Sequence, residues 1–392
     1  MSAQKDPIVI VGMARTPMGG FQGDLTPLRA PDLGAAAIKA AVARAGLAAN
    51  DIDDVIMGCV LAAGLGQAPA RQAALGADLP QSTGCTTINK MCGSGLKAVM
   101  MAHDEILAGT HNIMIAGGME SMTNAPYLLP KARGGYRMGH GQMMDHMFLD
   151  GLEDAYDRGK LMGVFAEGCA THYSFSRESQ DAFAIESLKR AQAADFAGEI
   201  TPVTVKSRKE TREITIDEQP GKARPDKIPT LKPAFAPDGT VTAANASSIS
   251  DGGAALVLMR RSEADKRGLK VIATITGHTT HAQEPEWFTT APVGALKKLS
   301  DKTGWDLNDV GLFEINEAFA VVTMAAMKEL SLPHDKVNIH GGACALGHPI
   351  GASGARILVT LLAAMEQNDL KRGMATLCIG GGEAVAVAVE RA

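Results

Sequence analysis

The chain has few aromatic residues and no long apolar run. Only 4% of its 392 residues are Phe, Trp or Tyr, whereas 46% are hydrophobic. A buried core must therefore be built mainly from small and branched aliphatic residues and from the 20 methionines. No stretch approaches the roughly 18 uninterrupted apolar residues of a membrane-spanning helix. Residues 1–7 are polar and lead into the short apolar segment Ile8–Val11, not into a secretory signal, so we expect a cytoplasmic protein without a membrane partner.

Metal-binding and redox motifs are also missing. The cysteines contain no Cys-x-x-Cys pair and no zinc-ligand spacing; there are six, at positions 59, 85, 92, 169, 344 and 378. We therefore expect reduced thiols and no metal. The net charge of −5 argues against nucleic acid as the main partner.

One cysteine lies in a glycine-rich turn. The segment Asn89–Gly95 reads Asn-Lys-Met-Cys-Gly-Ser-Gly and opens an apolar, helix-like run from Leu96. Backbone N–H groups and the helix dipole stabilise a thiolate at such a position. The pattern favours Cys92 as a nucleophile, and a structural cysteine is the alternative.

A second set of glycine-rich turns lies near the C-terminus. Gly347–Gly354 reads Gly-His-Pro-Ile-Gly-Ala-Ser-Gly, and Cys378–Gly382 reads Cys-Ile-Gly-Gly-Gly. These segments supply His348 and Cys378. Together with Cys92 they indicate one catalytic pocket built from turns.

Short apolar strands alternate with alanine-rich amphipathic segments along the chain. This alternation predicts an α/β fold with a parallel sheet covered on both faces. The predicted strands are Ile8–Val11, Val55–Val60 and Asn112–Ala116, and the predicted helices are Asp32–Arg44, Leu96–Leu107 and Arg177–Ala194.

The second half of the chain repeats the first. The turn at Cys92, its helix and the strand Ile113–Gly118 are mirrored by Gly351–Gly354, a helix through Met365, and Leu377–Gly382. Both copies run from a small-residue turn through a helix to a strand that ends in glycines. The match favours an internal duplication.

These motifs resemble those of the thiolase family, CoA-dependent acetyltransferases that make or cleave 3-ketoacyl-CoA. The resemblance runs nearly end to end and includes three further segments, Ala116–Met122, Val241–Ser247 and Asn316–Phe319. It implies duplicated βαβαβαββ halves in a layered α-β-α-β-α arrangement with an inserted loop domain. The implied boundaries are 1–120 for the N-terminal half (completed by about 249–271), 121–248 for the loop domain and 272–392 for the C-terminal half. The loop domain would cover CoA and carry the contacts of a homotetramer, a dimer of dimers.

The resemblance also implies a reaction, the reversible Claisen condensation of two acetyl-CoA to acetoacetyl-CoA and CoA. A cysteine thiolate exchanges readily with a thioester, so Cys92 would carry the acetyl group in a ping-pong mechanism. His348 would accept the Cys92 proton, and Cys378 would move the α-proton of the second substrate. The N–H groups of Cys92 and Gly380 would form one oxyanion hole, and Asn316, holding a water, would form the other with His348. CoA would be substrate and product, with no tightly bound cofactor.

Further residues match positions that contact CoA in the family. These are Met162, Phe235, Ser247, Ala318 and Phe319. The stretch 206–232 has eight Lys or Arg against five acids, and we expect Arg224 and Lys227 to meet the CoA phosphates, with a solvated charged face as the alternative.

At three positions this chain has a different residue from the one that is common in the family. Leu161 stands where His is usual in the family, His340 where Asn is common, and Phe288 where many biosynthetic relatives have Met. These departures leave the acyl-chain range open, so a broader-range 3-ketoacyl-CoA thiolase of fatty-acid degradation is an alternative.

Other classes of protein remain to be weighed. Ketoacyl-carrier-protein and hydroxymethylglutaryl-CoA synthases share the fold but lack a second glycine-bracketed cysteine, so Cys378 argues against them. A thiol-redox protein using Cys92 and Cys378, and a non-catalytic acyl-CoA-binding protein, are alternatives from different classes.

Overall fold

The computed structural model describes residues 6–206 and 210–391. Arg208 and Lys209 of the basic stretch lie outside this part. The strands are β1 (Ile8–Arg15), β2 (Gly19–Gly20), β3 (Asp54–Gly58), β4 (Gly84–Ile88), β5 (Ile113–Ser121), β6 (Tyr127–Leu128), β7 (Met144–Asp145), β8 (Val203–Lys206), β9 (Thr211–Ile214), β10 (Ser250–Arg260), β11 (Ala273–Ala282), β12 (Leu312–Ile315), β13 (Arg372–Ile379) and β14 (Glu383–Glu390).

The helices include counterparts of every helix predicted above. They are α1 (Ala30–Ala45), α2 (Pro69–Gly76), α3 (Ser94–Ala108), α4 (Met162–Tyr173), α5 (Arg177–Ala193), α6 (Glu218–Lys222), α7 (Arg261–Arg267), α8 (Ala291–Thr303), α9 (Ala320–Leu330), α10 (Ala343–Leu346) and α11 (Ile350–Gln367). No helix of the described residues is long and apolar enough to cross a membrane.

The main sheet consists of two halves. Its strand order is β12-β13-β14-β11-β1-β10-β5-β3-β4, with β2 beside β10. The halves join where β1 meets β11 through the pairs Val9–Thr274 and Ile10–Ala273. The N-terminal half follows the order β1-α1-β3-α2-β4-α3-β5-β10, which is βαβαβαββ. In the C-terminal half, the strand that would match β4 is reduced to a bridge between Phe313 and Val337.

The prediction of a parallel sheet is wrong, because the observed sheet is mixed. Only the outer pairs β3–β4, β3–β5 and β12–β13 are parallel. Those strands are linked by helical crossovers, which return the chain in the same direction. β13 and β14 instead form a hairpin through a short glycine turn, which requires antiparallel pairing.

Two central helices lie between the half-sheets. α3 and α11 share one apolar cluster with strands of both halves, while α1 and α2 cover the outside of the first half and α8 that of the second. This is the α-β-α-β-α arrangement. A Cβ atom at Gly95 would lie 2.8 Å from the backbone nitrogen of Ala355, and one at Gly354 would lie 2.4 Å from that of Leu96. Glycine is therefore required where the two helices touch backbone to backbone.

The segment 122–249 is inserted between β5 and β10. It contains α4, α5 and two small hairpins, β6–β7 and β8–β9. α4 was not predicted, because its sequence, with two Gly and two Ala among twelve residues, lacks a clear apolar stripe. Its buried side, including Ala166 and Cys169, packs with Phe288 and Phe319, which places the inserted segment over the C-terminal half.

Candidate active site

Cys92 lies in a tight turn between β4 and α3. The Asn89 side chain accepts a hydrogen bond from the Met91 N–H (2.9 Å), and the Lys90 N–H donates to Ser94 Oγ (2.8 Å). Met91 adopts a left-handed conformation, with φ of 47°. Such a conformation costs a non-glycine residue about 1–3 kcal/mol. The turn therefore holds Cys92 in one orientation at the expense of local strain.

The Cys92 sulfur is held as a thiol. Burial raises the pKa of Cys92 to about 11, although the N–H groups of Gly380 and of Cys92 itself donate to the sulfur and lower it. The buried carboxyl of Glu120 adds to the rise. The prediction of a stabilised thiolate is therefore wrong for the free protein, because desolvation outweighs the helix-start donors. The two N–H groups that the sequence analysis paired do converge on this sulfur.

His348 is neutral, and its neighbours orient the ring. Burial lowers the pKa of His348 to about 3, and the Arg356 guanidinium contributes. Ring Nδ1 lies 2.6 Å from Ser353 Oγ, which donates to the Pro349 carbonyl at 2.9 Å. Because the serine hydroxyl already donates its proton to Pro349, it can only accept a hydrogen bond from the ring. Nδ1 therefore carries the imidazole proton. Nε2 is buried without a hydrogen-bond partner among the described residues and is free to accept a proton.

Cys378 lies near the end of β13 and is only 1% exposed. Burial raises its pKa well above the usual range of a thiol, and the Cys92 thiolate would raise it further. The two sulfurs are thus close enough for one charge to oppose the other. Only one of them is readily ionised at a time.

Asn316 follows β12 and contacts the catalytic histidine. Its Nδ2 lies 3.4 Å from His348 Nδ1, and its Oδ1 is buried without a hydrogen-bond partner in the part of the chain described. The structure thus brings Asn316 and His348 together. Asn316 itself does not line the catalytic cavity described next.

One apolar cavity of about 380 Å³ joins these groups. Cys92, His348, Cys378 and Gly380 form its catalytic end. Five predicted CoA contacts also line it, together with the departures Leu161 and Phe288; the five are Met162, Phe235, Ser247, Ala318 and Phe319. The edges of Phe235 and Phe288 pack against Phe319, with ring centroids 6.0 and 6.5 Å away.

Arg224 and Lys227 lie elsewhere. They line a neighbouring cavity of about 330 Å³, which shares Ala243 and Ser248 with the catalytic cavity. Both side chains are exposed. They therefore stand near a continuation of the cavity towards solvent and not beside the thiols.

The other departure, His340, lies outside both cavities. It is buried, its ring edge meets Phe196 at 5.9 Å, and its Nδ1 has no hydrogen-bond partner among the described residues. It is thus a packing residue that does not line the catalytic cavity.

Glu120 is a buried residue of the site that sequence reasoning missed. Its carboxyl accepts hydrogen bonds from the N–H groups of Val60 (3.0 Å), Leu61 (3.0 Å) and Gly351 (2.8 Å). Burial nevertheless raises the pKa of Glu120 to about 7. It connects the end of β5 to the first turn of α11, just after His348. The segment Ala116–Met122 marks it in the sequence, but nothing there indicates its partners.

A second buried carboxyl, Glu317, supports Asn316. It accepts hydrogen bonds from Ser187 Oγ (2.7 Å), Asn338 Nδ2 (2.8 Å) and the Cys344 N–H (3.1 Å). Burial raises its pKa. Because Ser187 lies on α5, this network ties the inserted segment to the catalytic strand ends.

A neutral imidazole and two thiols that line one apolar cavity are typical of a class, the acyltransferases that work through cysteine. Comparison with known proteins identifies the family. The family models for the thiolase N-terminal domain and the thiolase C-terminal domain match residues 8–262 and 269–391. The chain belongs to the thiolase family.

Named relatives match over nearly the whole chain. The acetyl-CoA acetyltransferase of Chromobacterium violaceum is 50% identical over 390 residues, covering 98% of this chain and 99% of that protein. Acetyl-CoA acetyltransferase 1 of Arabidopsis thaliana is 50% identical over 397 residues, covering 99% and 95%. A crystal structure of a thiolase from Ascaris suum in complex with coenzyme A superposes with a TM-score of 0.93 at 43% identity, covering 98% of this chain and 100% of that one.

Proposed function

We propose that this protein is an acetyl-CoA C-acetyltransferase that condenses two acetyl-CoA to acetoacetyl-CoA and CoA, reversibly. The observation that carries the proposal is the single cavity joining Cys92, His348 and Cys378. The names of the relatives, and the CoA in the Ascaris suum complex, support the substrate class.

In the first half-reaction Cys92 takes the acetyl group. Its S–H proton passes to Nε2 of His348, and the thiolate attacks the thioester carbonyl. The N–H groups of Cys92 and Gly380 stabilise the oxyanion. The CoA sulfur leaves with a proton from Cys378, so that Cys378 becomes the thiolate. This order suits the mutual repulsion of the two sulfurs, since Cys92 is already acylated when Cys378 ionises.

In the second half-reaction the Cys378 thiolate removes the α-proton of a second acetyl-CoA. The carbanion attacks the acetyl group on Cys92, and the protonated His348 imidazole, which Asn316 contacts, stabilises the negative thioester oxygen of the second substrate. Cys92 leaves as a thiolate and recovers its proton from His348. Both thiols and the neutral imidazole are restored, so the proton count balances.

The substrate range is expected to be short. The cavity of about 380 Å³ must hold the acyl group and the end of the pantetheine arm, and Phe235, Phe288 and Phe319 crowd it. Each misfitting methylene costs about 1–3 kcal/mol. We expect kcat/KM for thiolysis to be highest with acetoacetyl-CoA and at least about 100-fold lower with a linear eight-carbon substrate.

Thiolysis of acetoacetyl-CoA, 2-methylacetoacetyl-CoA and the eight-carbon 3-ketoacyl-CoA tests this range. Phe288→Leu should raise the relative rate of the longest substrate, whereas Phe183→Leu, a buried aromatic on α5, should not. Equal kcat/KM for four and eight carbons would identify a broad-range degradative thiolase instead.

We further propose a homotetramer that is a dimer of dimers. β4 forms one end of the main sheet, and a strand edge of this kind pairs readily with a second copy. The segment 127–143 exposes large apolar side chains, among them Met138 at 97% and Met143 at 65%.

Light scattering tests this assembly and should give four chains for the wild type and two for the double variant Met138→Glu/Met143→Glu. The control is Ile216→Glu, which changes an exposed apolar side chain outside this segment and should stay tetrameric.

A further inference from the structure

A cluster of three polar side chains lies outside the catalytic cavity. His103 and Asp104 are neighbours on α3, and His278 comes from the middle of β11 in the other half of the molecule. Their ligand-type atoms lie within 4.8 Å of one another. Within residues 6–206 and 210–391, no other group of three His, Cys, Asp or Glu has this geometry.

One carboxylate oxygen is the centre of the cluster. Asp104 Oδ1 lies 3.0 Å from His103 Nδ1 and 2.8 Å from His278 Nε2. The two rings meet edge to face, with centroids 5.0 Å apart and planes at 84°. Both nitrogens therefore point at the same place from different directions.

The cluster combines a rigid interior with an open side. The His103 and His278 side chains are 8% and 11% exposed, whereas that of Asp104 is 55% exposed. His278 is further fixed by strand pairing with Val387 and by the Lys302 ammonium, which donates to its carbonyl oxygen at 2.9 Å. A cation can thus arrive from solvent at the carboxylate and meet two imidazoles held nearby, each of which must first move the proton that faces Asp104 to its other ring nitrogen or to solvent.

The spacing suits a small divalent metal. Tetrahedral Zn²⁺ with ligands at about 2.0–2.2 Å sets its donor atoms roughly 3.3–3.5 Å apart. Expansion of the two carboxylate–imidazole contacts by about half an ångström reaches that separation, and the exposed Asp104 side chain is free to make it. The two ring nitrogens lie within 4.8 Å of each other and would have to meet the same separation. Two imidazoles and one carboxylate are a common N/O ligand set for zinc, which leaves one position for water.

We propose that His103, Asp104 and His278 form a binding site for a divalent transition-metal ion, with Zn²⁺ the best match. The ion would link α3 of the N-terminal half to β11 of the C-terminal half. Since the site lies outside the catalytic cavity, its effect would be on stability and not on the chemistry of acyl transfer.

Titration of the metal-free full-length protein with Zn²⁺ alone, followed by calorimetry, tests the proposal. We expect one ion per chain and a higher melting temperature, because binding favours the folded state. Asp104→Ala and His278→Gln should each weaken binding at least about tenfold and abolish the shift in melting temperature. Asp104→Ala alters an exposed side chain, so its fold is expected to be intact.

His111→Ala is the matched control, because His111 forms a two-member pair with Glu105 at 3.7 Å; it should bind Zn²⁺ like the wild type. The catalytic thiols are a competing site, which Co²⁺ distinguishes, since thiolate ligation adds a charge-transfer band in the near ultraviolet. A Co²⁺ spectrum without that band, lost in Asp104→Ala, supports the proposal. Unchanged binding in Asp104→Ala, or a thiolate band in every variant, overturns it.

Discussion

Cys92 and Cys378 line the same cavity, yet their surroundings stabilise a negative charge on sulfur to different extents. The Cys92 sulfur receives two backbone N–H groups, whereas Cys378 sits at 1% exposure near the end of a buried strand. Burial opposes ionisation of both; two backbone N–H donors partly compensate at Cys92, whereas Cys378 has only its own N–H. The difference suits the first thiol to carry an acyl group and the second to hold a charge only briefly.

The largest effect on the rate should come from replacing Cys92, whose sulfur receives two backbone N–H donors. Cys92→Ser should lower acetyl transfer by about 10³-fold or more, because a serine hydroxyl is a poor nucleophile beside so weak a base. Cys85→Ser, another half-buried free thiol, is the control and should behave like the wild type. Steady-state condensation and thiolysis rates measure both. Substantial condensation by Cys92→Ser would remove the assignment of the nucleophile.

Replacement of the second thiol should separate the half-reactions. Cys378→Ala should still form the acetyl adduct on Cys92, visible by mass spectrometry, but condense about 10²–10⁴-fold more slowly, the usual loss for a missing acid–base group. Exchange of label between acetyl-CoA and CoA should fall less than condensation. Cys169→Ala, a buried thiol nearby, serves as the control. Equal losses of exchange and condensation would contradict the division of roles, and absence of an acetyl adduct on Cys92 in the wild type would favour a thiol-redox pair.

The buried carboxyl of Glu120 should make the stability of the folded protein depend on pH. Burial raises the pKa of Glu120 to about 7 from a usual 4.5, so the folded protein holds more protons than the unfolded chain between these values. Stability from this group is therefore greatest at low pH and is lost as pH rises through 7. Between pH 5.5 and 8 the loss should be about 2 kcal/mol. Urea unfolding across this range should show a flatter profile for Glu120→Gln, and Glu366→Gln, an exposed control, should keep the slope of the wild type.

The smallest effect on the rate should come from replacing Ser353, whose hydroxyl contacts the His348 ring. Ser353→Ala removes the 2.6 Å contact to His348 Nδ1, and one such hydrogen bond is worth about 1.4 kcal/mol, or about tenfold in rate. We expect kcat to fall by that factor with KM nearly unchanged. A change confined to KM would show that Ser353 shapes the cavity and does not orient the imidazole.

The local chemistry was readable in the sequence. The glycine-rich turns around Cys92, His348 and Cys378, the repeat of turn, helix and glycine-ended strand, and the segment Asn316–Phe319 are all short-range patterns. They suffice because turn geometry and helix starts depend on a few neighbouring residues. The resemblance carried by these segments then implied the family, the layered fold and most of the residues that line the cavity.

The tertiary structure alone decided what depends on burial and on partners distant in sequence. The direction of the Cys92 pKa reflects desolvation, which no local motif records, and the role of Glu120 depends on N–H groups 60 and 231 positions away. The antiparallel strands arise from hairpin returns, and Arg224 is kept from the thiols by the path of the inserted segment. The sequence alone thus indicated the two thiols and the imidazole, whereas their protonation and their buried support depend on the low dielectric of a core that exists only once both halves have packed together.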